Sequence, residues 1–88
     1  MLTLKNEKMK AAMRPILCAR LKQYRTKQNL TQEQMARLFM ISARSYVDLE
    51  HGVCFPSALT FALLLTHLDR HEQKELLDEI RKEIEKVK

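Results

Sequence analysis

The stretch SARSYVDLEHG, residues 42–52, gathers side chains that can do chemistry: two serine hydroxyls, a guanidinium, two carboxylates and an imidazole. Read as a helix, it opens on Ser42, a residue type that caps helix N-termini by accepting from a backbone amide. The free amides and partial positive charge of such an end suit a phosphate. With Tyr46 and Leu49 turned inward, the outward residues are Ala43, Arg44, Val47, Asp48 and His51. Elsewhere the chain offers no nucleophile beside a base, no carboxylate dyad and no glycine-rich phosphate loop, so an enzyme is not expected. His67 and His71 stand four apart, but Asp69 is expected to break the helix between them and no third ligand is near. No metal and no cofactor are therefore expected.

The charge is unevenly spread. The 88 residues carry a net +5. Residues 1–30 hold eight basic side chains against Glu7, a net of +7, residues 31–69 come to −2, and residues 70–88 balance six against six. A basic third on a near-neutral remainder favours a nucleic-acid or anionic-membrane partner. Cys18 and Cys54 fit neither a metal spacing nor a disulfide framework, which points to a reduced, cytoplasmic protein. Cys18 reads as a small buried hydrophobe and Cys54 as a loop residue. FALLL at 61–65 is far too short to span a bilayer, and the N-terminus lacks the apolar stretch of a secretory signal.

Apolar residues recur every three or four positions, with one Gly and two Pro in the chain, so the elements that position these side chains are helices throughout. Pro15 suits the first turn of a helix running to about Gln28, with Ile16, Leu17, Leu21 and Tyr24 as its buried side. Residues 1–14 are either a basic arm or a short extra helix. Thr31 and Gln34 form a capping box at the start of a short second helix. Ser42 caps the third, which ends at His51 with Gly52 beyond it as a left-handed stop. Ser57 caps a fourth over 58–68. A fifth starts at or beside Asp69, with Leu77, Ile80, Ile84 and Val87 as its stripe and ion pairs available at Asp78–Lys82, Glu79–Lys82 and Glu83–Lys86. Two short helices joined by a tight turn, the second capped by Ser, are the geometry of a helix-turn-helix.

LTQEQMARLFMISARSYVDLEHGVCFPS resembles the Cro/phage-repressor, or XRE, helix-turn-helix family. Arg25, Gln32, Ala36, Ser42 and Glu50-His51-Gly52 match its pattern over about residues 16–68. The resemblance implies an all-α, five-helix lambda-repressor-like fold, with the helix-turn-helix domain over 15–69 and 70–88 as an amphipathic helix packed on the domain or at a dimer interface. It implies a transcriptional regulator that inserts helix 42–51 into the major groove of double-stranded DNA. Ala43, Arg44, Val47 and Asp48 are then the expected base contacts, Arg44 through O6 and N7 of guanine and Asp48 through a cytosine amino group. Gln32, Ser42, Ser45 and His51 are the expected phosphate contacts. Arg25 and Glu50 form the expected internal ion pair.

Two positions and one loop depart from the family pattern. Met40 stands where Gly is frequent, and a left-handed Met there costs about 1 kcal/mol. Tyr46 replaces an aliphatic, so its hydroxyl needs a partner. Val53-Cys54-Phe55 is apolar where many relatives carry cations. The apolar helix 59–65 and the last helix together favour a homodimer on two half-sites. The alternative is a protein-interaction module, an antitoxin-like partner that uses the same fold.

Overall fold

The computed structural model describes residues 2–87, so Met1 and Lys88, at the outer ends of the first and last expected segments, lie outside the described residues. Five helices follow in order: α1 Leu2–Lys27, α2 Gln32–Leu38, α3 Ala43–Glu50, α4 Ala58–His67 and α5 Arg70–Val87. No strand occurs among the described residues. The fold is all-α.

The first helix corrects the expectation for Pro15. Pro15 lies inside α1, a single helix of 26 residues, instead of opening it, and residues 2–14 are neither an arm nor a separate helix. An internal proline removes one amide donor and crowds the carbonyl one turn earlier, at a cost of about 3 kcal/mol. Residues 4–14 contain no Gly and are rich in Lys, Met and Ala, all good helix formers. Met13, one half-turn before the proline, packs against the core and carries the helix past it. At a rise of about 1.5 Å per residue α1 is about 39 Å long, which matches the longest extent of the molecule, 39 Å.

Polar side chains start the other helices. Thr31 accepts from the Gln34 amide (3.1 Å) while the Gln34 side chain accepts from the Thr31 amide (2.8 Å). Ser42 caps α3 through the Ser45 amide and Ser57 caps α4 through the Thr60 amide. Asp69 and Glu72 exchange the same reciprocal bonds ahead of α5. Their geometry holds the Asp69 carboxyl below its ordinary pKa, chiefly through the Glu72 amide.

The first three helices end alike. Asn29, Met40 and Gly52 all have positive φ, at 60°, 58° and 75°. Beyond each, an amide reaches back to the last turn: Leu30 to the Arg25 carbonyl, Ile41 to Ala36 and Val53 to Asp48. This is the double-bonded left-handed stop that glycine fits best. Gly52 has a second reason to lack a side chain, since a Cβ there would lie 3.3 Å from the Cys18 sulfur.

The core joins all five helices: Leu17 and Leu21 of α1, Met35, Ala36 and Phe39, Tyr46 and Leu49 of α3, Leu64 and Leu68, and Leu76 and Ile80 of α5. Ile16, Tyr24 and Ile41 are partly buried against it. On α5 the buried line corrects the expected stripe. Leu76 is buried and Leu77 is exposed, as is Ile84. In that phase Lys27 meets Glu72 and Arg20 meets both Glu75 and Glu79 across the helix pair. Glu79 is therefore taken by Arg20 at 2.6 Å, and Asp78 pairs with Arg81 instead of Lys82.

Candidate nucleic-acid interface

Helix α3 exists because its two ends are capped and its inner face is buried. Its inner side chains are Tyr46, Leu49 and Glu50, all buried, while Ala43, Arg44, Ser45 and His51 are exposed. Val47 and Asp48 sit half-buried at the margin of that outer face. The Arg44 side chain is 87% exposed and reaches Asp48 Oδ1 at 3.5 Å, one turn along the helix. The guanidinium is thus held only by a weak surface pair, which a base edge can replace.

The inner face is organised around one carboxylate. Glu50 accepts from Arg25 Nε (2.8 Å), Arg25 Nη2 (3.0 Å), Tyr46 Oη (2.6 Å) and Gln32 Nε2 (3.2 Å). Arg25 also donates to the Leu30 carbonyl from Nη1. Burial alone would raise the Glu50 pKa, but the donors from Arg25, Tyr46 and Gln32 overcome it and hold the carboxyl below its ordinary value. The bond to Glu50 pushes the Arg25 pKa up. Burial, with the bond to Glu50 second, pushes the Tyr46 phenol far above its ordinary value. This answers the question posed by Tyr46: the fully buried phenol is satisfied by the acid one turn later.

The structure brings Gln32 and Glu50 together, which spacing alone did not reveal. One N–H of the Gln32 amide is spent on Glu50, and an amide has two, so the second remains to donate elsewhere. Ser42 and Ser45 stand side by side and exposed, the Ser42 hydroxyl donating to that of Ser45 at 2.9 Å. His51 caps the far end of α3 and is exposed. Ala43, Arg44, Ser42 and Ser45 therefore share one end of α3, and Asp48 and His51 continue the same face.

Away from this face the titratable groups have structural places. His67 stacks at a tilt on Tyr24 and Phe39, with ring centres 5.9 and 5.7 Å away, whereas His71 lies on α5 beside Glu75. Among the described residues no group of three His, Cys, Asp or Glu could hold a metal ion. The Cys18 thiol donates to the Leu49 carbonyl at 3.2 Å, and burial raises its pKa. Cys54 is exposed in the loop after α3. No described helix is long and apolar enough to cross a membrane.

A family model described as a helix-turn-helix domain matches residues 19–83, from the middle of α1 to near the end of α5. No curated protein and no solved structure matches the chain. The matched region contains the capped α2–α3 pair, its tight turn and the helices that brace it, and the chain belongs to the XRE-type helix-turn-helix domain family.

Proposed function

We propose that this protein is a transcriptional regulator that binds duplex DNA in a sequence-specific way, with α3 lying in the major groove. The observation that carries the reading is the division of α3: a buried polar face fixes the helix, and an outer face presents Arg44 to solvent at 87% exposure. Ala43, Arg44, Val47 and Asp48 read base edges, and Arg44 is the principal reader through the bidentate geometry a guanidinium offers to guanine. Ser42, Ser45, His51 and the free N–H of Gln32 contact phosphates, aided by the N-termini of α2 and α3. Arg25 and Glu50 touch no DNA and hold the helices in register.

The apolar side chains left outside the core support a homodimer. Leu77 and Ile84 are exposed seven residues apart on α5, and Leu59 is exposed on α4. The exposed Leu59 and Val53 also favour the second reading, a module that grips another protein through this surface. Selection of bound duplexes from a random library separates the two. A regulator enriches an inverted repeat with half-site centres about 10 bp apart, and binds it with a steep loss between low and physiological salt. Absence of any enriched sequence at low salt leaves only the protein-interaction reading.

A further inference from the structure

The proposed reading leaves the C-terminal end of α3 short of cations. No Lys or Arg occurs between Arg44 and Arg70, so the loop that follows α3 has none to offer a phosphate. Its residues Val53 and Cys54 are exposed and uncharged. The cations near this end come from another part of the chain. Because α1 runs unbroken through Pro15, its middle passes beside the end of α3. There a groove is lined by Arg14, Pro15, Cys18, Lys22, His51 and Gly52, with Glu50 at its wall.

Three observations give this groove a ligand. Arg14, which lines the groove, has a buried Nε with no hydrogen-bond partner among the described residues, so one of its donors is unused. A buried donor left unpaired is costly, which is the mark of a group awaiting an acceptor. Lys22 is exposed on the same wall and forms no ion pair among the described residues. The acid in the wall does not compete, because the oxygens of Glu50 are already filled by Arg25, Tyr46 and Gln32. Meanwhile Arg20 and Lys27, on the side of α1 that meets α5, are paired with acids and are not available. Among the described residues of α1, Arg14 and Lys22 thus stand without an ion pair beside the end of α3, while Arg20 and Lys27 are paired toward α5 and Arg25 with Glu50.

We infer that this groove is a phosphodiester-binding site. Resting on the reading of α3 as the DNA-contacting helix, it takes a backbone phosphate flanking the bases that α3 reads. His51 is shared between the groove and the outer face of α3, so the site continues the interface from the recognition helix onto α1. Arg14 and Lys22 hold the phosphate oxygens, and the loop that lacks cations leaves the approach open. The contact is blind to sequence, since phosphates carry no base information.

The test is equilibrium binding to the selected duplex over a salt series, with the wild type, Arg14→Gln/Lys22→Gln and Lys74→Gln/Lys82→Gln. The last pair removes the same charge from α5 and controls for net charge, and thermal melts confirm that each variant is folded. The groove variant is expected to lose affinity on the order of tenfold per side chain at low salt. Its salt slope should fall by about 0.9 per phosphate lost, with the preferred bases unchanged. A groove variant that behaves like the α5 control overturns the site and leaves α3 binding intact. A change in preferred bases also overturns it, because Arg14 or Lys22 would then be reading sequence. Absence of wild-type binding at any salt overturns both the site and the DNA reading.

Discussion

Asp48 and Glu50 stand two positions apart on α3, one at the edge of the solvent face and the other sealed into the core. A helix turns about 100° per residue, so they point about 200° apart. Asp48 has one weak partner, exposed Arg44, at 3.5 Å. Glu50 has four donors between 2.6 and 3.2 Å from three side chains. The same functional group therefore serves two ends: the acid with spare acceptor capacity can meet a partner, and the acid with none can only hold the fold. An inventory of acidic residues could not separate them, whereas the helical phase does.

The largest effect is expected on the inner side. Arg25→Ala strands a buried carboxylate and should lower the unfolding free energy by about 3–5 kcal/mol, measured by urea denaturation. An Arg25→Ala protein as stable as the wild type would mean that Tyr46 and Gln32 suffice for Glu50. The pH dependence follows from the same group. The Glu50 pKa lies below its ordinary 4.5 in the folded chain, so its contribution is fully present above that value. It is lost as pH falls through the folded value. Glu50→Gln should therefore be less stable near neutrality and show a flatter acid limb than the wild type. A limb that keeps its shape would assign acid unfolding to other carboxylates.

On the outer side the expected effect moves from folding to binding. Arg44→Ala should leave thermal stability within about 0.5 kcal/mol, yet cost about 1–3 kcal/mol of DNA affinity and relax one base position. If melting falls while binding holds, Arg44 belongs to the fold and the outer face has been misplaced. The smallest change concerns the turn between α2 and α3. Met40 has φ 58° where Gly52 occupies the matching place after α3. Met40→Gly should stabilise by about 1 kcal/mol, visible as a rise in melting temperature, without altering base preference. A destabilised Met40→Gly would show that the exposed Met side chain makes up for its backbone.

Much of this arrangement is legible in the sequence because it is local. Thr31, Ser42 and Ser57 each mark a helix start by type and spacing, and caps form at all three. Gly52 marks a stop in the same way. Features set by distant contacts are harder to read. Pro15 is of the residue type that opens helices, yet α1 continues through it with Met13 and Ile16 packed against the core on either side. Leu76 and Leu77 are adjacent and chemically alike, so the buried one is chosen by the register of α5 against α1. The donors that Tyr46 and Gln32 give to Glu50 leave their traces only in hindsight: a phenol one turn before a buried acid, and an amide at the mouth of the next helix.

The Glu50 carboxylate draws its donors from α1, from the start of α2 and from α3 itself. No pair of these helices can satisfy it without the third. An intermediate holding two of them would keep a desolvated charge short of partners, and such a half-filled network is penalised more than an open chain in which water does the work. Folding should accordingly be all-or-none, with α2–α3 as a fragment unable to persist alone. The joint makes α3 an indivisible product of three helices, so a damaged or partly made copy is not expected to hold the outer face of α3 in place.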